Sequence, residues 1–197
     1  MTKTWYFLRH GKPVLTGILT GSKTDVPVSE VGLTAMGFAL PQTVQFDAFI
    51  SSPMQRCLRF AKDISEQSNL PLTIAAQLKE MDFGDWDGKS YDWLWAHATI
   101  GEFWQAPWQH TPPNGESLYE FRSRVSQWWE AELSTRHTSH NLVITHAGVI
   151  KQILAEVLSL PLDSLSSINS LEVGYAKLVK IEVYFDEADK PWPKVVF

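Results

Sequence analysis

Short apolar runs alternate along the chain with longer stretches that have helical spacing. The apolar runs predict strands at 4–8, 48–50, 72–75, 142–145 and 177–185. Helices are predicted between them at 33–40, 53–67, 115–134 and 147–158, with Ser52 as the cap and Pro53 in the first turn of the second. The run at 142–145 is apolar throughout, which is typical of a buried central strand. This alternation predicts an α/β sandwich.

Two regions depart from the alternation. Residues 12–30 are rich in Gly, Thr, Ser and Pro, which predicts a loop. Residues 79–113 are first acidic and Gly-rich and then dense in Trp, and they are the best candidate for a cap inserted over a site. Seven of the nine tryptophans lie between Trp86 and Trp129. We expect most of them to pack in the cap or core, and the alternative is that one or two stack on an aromatic leaving group.

Polar groups follow three of the predicted strands. Arg9 and His10 come directly after the first strand, Ser52 with Arg56 one turn on follows the second, and His146 follows the strand at 142–145. Ligands of α/β sheets collect at the carboxyl ends of strands. Residues far apart in sequence are therefore expected to share one rim.

Composition narrows the class of protein. The 197 residues fit one domain, and 44% hydrophobic with 20% charged residues is ordinary for a globular chain. Acidic residues outnumber basic ones, 22 to 17, so we expect neither nucleic acid nor an anionic membrane as a partner. The lone Cys57 allows no internal disulfide, and the start lacks signal-peptide features; both favour a cytoplasmic location. Oligomeric state is left open.

The residues at the rim have the chemistry to bind a phosphate monoester. Arg9 and Arg56 offer planar forks that match phosphate oxygens, and His146, if protonated, adds a third cationic donor. The helix that starts at Ala147 directs backbone N–H groups and its positive dipole end toward the same place. A small-molecule phosphate ester is thus the expected substrate.

Hydrolysis also needs a nucleophile and an acid. A neutral imidazole attacks phosphorus well, and His10 is placed for this step. A carboxyl must protonate the departing oxygen and later activate water. The residues alone leave four candidates open: Glu80, Asp82, Asp85 and Asp87. No metal is needed if two arginines and two histidines neutralise the charge.

Four segments resemble, in order, the histidine phosphatase superfamily, which includes the phosphoglycerate mutases. They are residues 8–11, 51–57, 78–88 and 145–148, and the similarity covers roughly residues 5 to 155. The resemblance implies a three-layer α/β/α sandwich with a mostly parallel central sheet. Residues 9–13 and 24–29 are similar to the α-ribazole-5′-phosphate phosphatases of cobalamin biosynthesis, which implies α-ribazole 5′-phosphate as the substrate.

The resemblance also implies roles for single residues. His10 would carry the phosphohistidine, Glu80 would donate the proton, and no metal or other cofactor would take part. The phosphate pocket and the further substrate contacts would come from Arg9, Arg56, His146, Gly11, Thr20, Gly21 and Ala147.

Other functions were weighed against this one. Mutases of the family usually carry Asn at the position of Thr16 and have longer insertions, so the sequence favours a phosphatase over a mutase or sugar bisphosphatase. An inactive phosphate-binding protein is disfavoured because no catalytic position is missing. A metallohydrolase lacks the paired-His spacing of such sites. Asp82, Asp85 and Asp87 are otherwise expected in solvated turns, and Glu116 either near substrate or as a first-turn helix acid.

Overall fold

One mixed sheet forms the centre of this computed structural model, which describes residues 1–134, 138–161 and 171–196. The strands of the described residues are Thr2–Arg9 (β1), Ala48–Ser51 (β2), Leu72–Ile74 (β3), His140–Thr145 (β4), Leu178–Phe185 (β5) and Pro191–Val196 (β6). Their order across the sheet is β3-β2-β4-β1-β5-β6. Strands β3, β2, β4 and β1 are parallel, whereas β5 is antiparallel to β1 and to β6.

The strand register brings the polar rim together. Arg9 at the end of β1 is opposite Thr145 at the end of β4, and Ser51 at the end of β2 is opposite Ile144. The residues that follow these strands, His10, Ser52 and His146, therefore leave the sheet at one edge. This is the arrangement expected from the strand ends in the sequence.

Six helices accompany the sheet in the described part of the chain: Glu30–Ala39 (α1), Gln55–Ser68 (α2), Tyr91–His97 (α3), Ile100–Gln105 (α4), Leu118–Ser134 (α5) and Ala147–Val157 (α6). Trp5 and Phe7 of β1 share a buried cluster with α5 and α6. Tyr6 and Leu8 point to the opposite face and share a cluster with α1 and α2. Alternate strand residues thus bury two helical layers, which confirms the α/β/α sandwich with a mostly parallel sheet.

Two local features differ from the sequence-based expectations. Helix α2 begins at Gln55, with Met54 as its N-cap, so Pro53 precedes the helix and Ser52 does not cap it. The cause is that the Ser52 hydroxyl is hydrogen bonded to His146, while Asp25 accepts the Gln55 N–H at 2.7 Å.

Strand β6 was not predicted, because its two prolines lower strand propensity. Pro191 and Pro193 are accommodated because β6 pairs only with β5, at the edge of the sheet.

The stretch 79–113 contains a 3-10 turn, Gly84–Trp86, followed by α3 and α4. Phe83, Leu94 and Phe103 are buried against the face of the sheet that α5 covers. Four of the seven clustered tryptophans are buried or packed against the core, as expected: Trp86, Trp108, Trp128 and Trp129. Trp93, Trp95 and Trp104 are exposed. Both helices are short and bury few residues each, which leaves Trp93 and Trp95 exposed, whereas the partly exposed Trp104 ring lies 5.0 Å from that of Phe103. Within the described residues, no helix is long and apolar enough to cross a membrane.

Candidate active site

His10 lies just past the end of β1 and is only 6% exposed. Its backbone N–H donates to the Thr145 carbonyl at 2.9 Å, and its Nδ1 lies 2.8 Å from the Gly11 carbonyl oxygen. A carbonyl oxygen only accepts, so Nδ1 must carry the hydrogen, and in the neutral ring the lone pair is on Nε2. Burial, reinforced by the charge of Arg56, lowers the pKa of His10 to about 3. The ring is therefore neutral at ordinary pH, with Nε2 unprotonated.

Arg56, on the first turn of α2, is 1% exposed and is held at every nitrogen of its guanidinium group. Nη1 donates to the Thr24 carbonyl at 3.1 Å, Nη2 to the Gly21 carbonyl at 2.8 Å and Nε to His146 Nδ1 at 3.2 Å. Three of its five N–H groups are used in this way, which leaves two for a ligand.

His146 is fully buried at the N-cap of α6, and its ring centroid lies 5.2 Å from that of His10. Because Nδ1 accepts from Arg56, the hydrogen of a neutral ring is on Nε2, which lies 2.8 Å from Ser52 Oγ. Burial and the charge of Arg56 hold the pKa of His146 well below its usual range. His146 is thus neutral here and is not the third cationic donor that a protonated ring would provide.

Arg9 is oriented by a segment close to β5. Its Nη1 donates to the Val173 carbonyl at 2.7 Å, and its guanidinium carbon lies 4.0 Å from the centroid of the Tyr175 ring. The Tyr175 ring centroid is also 5.6 Å from that of His10. Sequence reasoning missed Tyr175, because nothing about a single tyrosine ahead of a strand indicates this contact.

Glu80 is bound to the first turn of α6. Its two carboxylate oxygens accept the backbone N–H groups of Met81 and Gly148, each at 3.1 Å. A Cβ at position 148 would overlap Glu80 Oε1, so the close approach requires glycine there. The helix N-terminus thereby fixes the direction of the carboxylate.

The other three candidate acids have different surroundings, and of the four only Glu80 lines the cavity described below. Asp82 pairs with Lys23 at 3.2 Å. Asp85 accepts from the Asn114 amide at 2.9 Å.

Asp87 organises the loop that holds Arg56. Its carboxylate accepts the backbone N–H groups of Gly21, Lys23 and Thr24 at 2.9–3.2 Å. A side chain at Gly21 would crowd this carboxylate. Asp87 lies in a turn and is partly exposed, as expected, but the three backbone donors that converge on it give it a structural role that the sequence did not indicate.

The candidate residues surround a cavity of about 290 Å³. Arg9, His10, Thr20, Glu80 and Ala147 line it, whereas Gly11, Gly21, Arg56 and His146 contact these residues or their neighbours without lining it. Aromatic side chains form much of the remaining wall: Phe83, Tyr91, Phe103, Trp104, Trp108, Phe121 and Tyr175.

Lys151 is a second cation in the cavity wall that sequence reasoning missed. Burial lowers its pKa, and the nearby charge of Glu80 opposes that shift. The sequence could have indicated this position, because Lys151 is four residues after Ala147 and residues four apart lie on the same helical face.

Among the described residues, no three His, Cys, Asp or Glu side chains are grouped so that they could hold a metal ion.

A family model for the histidine phosphatase superfamily, branch 1, matches residues 5–189. The chain belongs to the histidine phosphatase superfamily. The adenosylcobalamin/alpha-ribazole phosphatase of Escherichia coli is 28% identical to this superfamily member over an alignment of 171 residues, and the match covers 81% of each chain. A 2,3-bisphosphoglycerate-dependent phosphoglycerate mutase of Bartonella henselae is 34% identical over 137 residues, covering 64% of this chain and 66% of the mutase.

The fold is shared with solved members of the superfamily. The alpha-ribazole phosphatase of Shigella flexneri superposes with a TM-score of 0.79 over 98% of this chain and 94% of its own, at 23% identity. At that identity the likeness concerns the fold alone.

Proposed function

We propose that the protein is a phosphomonoesterase that works through a phosphohistidine on His10. The observation that carries the proposal is the state of the His10 ring. Its Nδ1–H is bound to the Gly11 carbonyl, and burial lowers its pKa to about 3, so a neutral Nε2 with a free lone pair borders the cavity. An imidazole must be unprotonated to act as a nucleophile, and His10 is unprotonated without the help of a general base.

In the first step, His10 Nε2 attacks phosphorus and the ester P–O bond breaks. Glu80 gives its proton to the departing oxygen, while the Gly11 carbonyl stabilises the positive charge that develops on the ring. In the second step, Glu80 takes a proton from water, the resulting hydroxide attacks phosphorus, and the N–P bond breaks to release inorganic phosphate. The same carboxyl thus acts first as acid and then as base.

Cationic donors stabilise the phosphoryl group during both steps. Arg9 commits one of its five N–H groups to Val173, and its Nε is buried without a hydrogen-bond partner in the described part of the chain. Arg56 retains two N–H groups, and the first turn of α6 adds backbone donors near Ala147. These groups can carry the charge of the phosphate without a metal ion, and His146 acts on them only by holding Arg56 Nε.

For the substrate, we propose α-ribazole 5′-phosphate, in the cytoplasm. The named activity of the Escherichia coli relative supports this substrate, and so does the aromatic wall of the cavity. Trp104 and Trp108 in that wall offer flat faces on which a benzimidazole ring can stack.

The mutase relative makes phosphoglycerate transfer the second candidate function. A mutase must hold a substrate with several anionic groups. Beyond Arg9 and Arg56, which are proposed to hold the phosphoryl group, Lys151 is the one Lys or Arg among the described residues that line the cavity. The sparse positive charge favours an ester with an uncharged, aromatic leaving group.

Trapping the intermediate tests the mechanism. The enzyme is mixed with substrate, quenched in alkali and mapped by mass spectrometry, with chelator present throughout. We expect acid-labile phosphate on His10, its loss in His10→Ala, and its retention in the control His110→Ala, since the partly exposed His110 does not line the cavity. Phosphate on another residue, or a requirement for metal, would contradict the mechanism.

A second experiment tests the substrate separately. We expect kcat/KM for α-ribazole 5′-phosphate to exceed that for glycerol phosphate and 3-phosphoglycerate. Trp104→Ala and Trp108→Ala should lower it for the benzimidazole substrate alone, by about 5- to 150-fold if a ring stack worth about 1–3 kcal/mol is lost. Equal rates for all esters would refute the substrate and leave the phosphohistidine standing, whereas no hydrolysis of any ester by the folded protein would favour an inactive phosphate-binding protein.

A further inference from the structure

Arg124 on α5 has an unusual set of partners for a residue outside the cavity. Its Nε and Nη2 grip both carboxylate oxygens of Glu116, at 3.0 and 2.7 Å. Nη1 donates to the carbonyls of Gln77 and Lys79, at 2.7 and 2.9 Å, and Nη2 also donates to the Glu80 carbonyl at 3.0 Å. One guanidinium group therefore binds a carboxylate and three carbonyl groups of the segment that ends in Glu80.

Glu116 completes the contact on the far side of Glu80. Its Oε1 accepts the Asp82 backbone N–H at 2.7 Å, and its own backbone N–H donates to the Asp82 carbonyl at 2.9 Å. Glu116 is thus neither a substrate contact nor a free first-turn acid, the two roles considered in the sequence analysis. The two side chains of the pair are only 24% and 16% exposed, so water screens their contacts weakly.

Residues 79–83 belong to no helix or strand, so regular backbone hydrogen bonds do not fix their path. The carbonyls of Lys79 and Glu80 are bound by Arg124, and both backbone groups of Asp82 are bound by Glu116. One partly buried ion pair therefore holds the backbone on either side of the proton donor, in addition to the Ser22 N–H that donates to the Met81 carbonyl at 3.1 Å, and we name this pair the Arg124–Glu116 clamp.

We propose that the Arg124–Glu116 clamp is a positioning device for Glu80, and that it sets how well the enzyme protonates a poor leaving group. The inference rests on the proposed role of Glu80. Neither member of the clamp lines the cavity, so both act through the Glu80 backbone and not on the substrate. A proton donor must come within hydrogen-bond reach of the leaving oxygen, and a misplacement of about 1 Å costs ~10²-fold in rate.

This role has a chemical signature that a loss of folding does not share. An alkoxide leaves poorly without a proton, whereas p-nitrophenolate is stable as an anion and needs none. Displacing Glu80 should therefore slow the cleavage of alkyl phosphates far more than the cleavage of p-nitrophenyl phosphate. The ratio of kcat/KM values for the two esters isolates this effect, because kcat/KM reports the steps up to phosphorylation of His10.

The test compares Arg124→Met with the control Arg122→Met, which removes an arginine of the same helix that makes no hydrogen bond or ion pair to the described residues. For Arg124→Met we expect kcat/KM for glycerol phosphate to fall by ~10²–10³-fold and that for p-nitrophenyl phosphate by less than about 10-fold. Arg124→Lys should recover little, since an ammonium group cannot grip both oxygens of Glu116. The control should change neither ester.

Two further variants keep the outcomes distinct. Glu80→Gln should show the same dependence on leaving group; if it does not, the proposed role of Glu80 fails. If Glu80→Gln shows the dependence and Arg124→Met slows both esters equally or neither, the clamp inference alone is overturned. Glu116→Gln keeps the shape of the clamp but removes the negative charge of Glu116, so it should shift the ratio of kcat/KM values in the same direction as Arg124→Met. This variant keeps the test decisive if Arg124→Met does not fold. An unchanged ratio in Glu116→Gln would then refute the inference.

Discussion

Lowering the pH from 8 to 5 should destabilise the protein through the buried ring of His10. Its ordinary pKa of 6.5 applies in the unfolded chain, whereas the folded state lowers it to about 3. Above pH 6.5 the ring is neutral in both states and contributes nothing. Between pH 6.5 and 3 the unfolded chain binds a proton that the folded protein does not, so the free energy of unfolding falls as the pH falls.

The size of the loss in the free energy of unfolding follows from the interval between the ordinary histidine pKa of 6.5 and the pH of the measurement. At pH 5 the unfolded ring is about 1.5 pH units below its pKa, and each unit is worth about 1.4 kcal/mol, so His10 removes about 2 kcal/mol. This figure does not depend on the folded-state pKa as long as that pKa stays well below 5. The 6% exposure of His10 supports the low value, because a ring removed from water resists protonation.

Urea unfolding at pH 8 and pH 5 measures the effect, with His10→Gln as the matched variant. Buffers must be free of phosphate, since a ligand of the folded state would mask the loss. The wild type should lose about 2 kcal/mol more than His10→Gln between the two pH values. The contribution of His146, whose pKa is also lowered, is common to both proteins. A difference within about 0.5 kcal/mol would show that His10 titrates normally and refute the reasoning.

Three further changes test other contacts of the site. Tyr175→Ala should weaken inhibition by inorganic phosphate about fivefold, because Arg9 loses the aromatic ring against which it lies, while Tyr175→Phe should retain the affinity for phosphate. An equal loss of affinity in both variants would refute this role of the ring. Gly148→Ala should lower kcat by ~10²-fold at nearly wild-type melting temperature, since the new methyl displaces Glu80; wild-type turnover would contradict the geometry. Asp87→Ala should cost about 1–3 kcal/mol in urea unfolding, because three backbone N–H groups lose their acceptor; an unchanged midpoint would count against this role.

The strand ends are the part of the site that the sequence predicts best. Arg9, His10 and His146 follow apolar runs whose ends are evident, and a parallel sheet brings such ends to one edge. The position of these residues at strand ends was enough to predict that they lie close together. Glu80 was one of four possible acids on chemical grounds, and only the family resemblance singled it out. Its contact with α6 depends on Gly148, far away in the chain.

Two residues whose roles the sequence did not indicate, Asp87 and Arg124, bind mainly to backbone groups. Asp87 accepts three N–H groups and Arg124 donates to three carbonyls, and every residue carries such groups. The sequence therefore holds no pattern that distinguishes these two side chains from an acid in a turn or a base on a helix. Ser52 was misassigned for a related reason: its hydroxyl accepts the Met54 N–H ahead of the helix at 3.4 Å, but its shorter contact, at 2.8 Å, is with His146. Only the tertiary structure decides between such partners.

Phosphate can bind only after β1 and β4 have paired as parallel strands, so phosphate affinity reports on this step of folding. The two strands are far apart in sequence, and His10 and His146 become neighbours only when they pair. A chain that has not formed this ladder has no anion site, so inorganic phosphate should slow unfolding of the native protein. Refolding should accelerate with phosphate only if the ladder already exists at the folding barrier. A simple anion can thus serve as a probe of when, during folding, β1 and β4 meet.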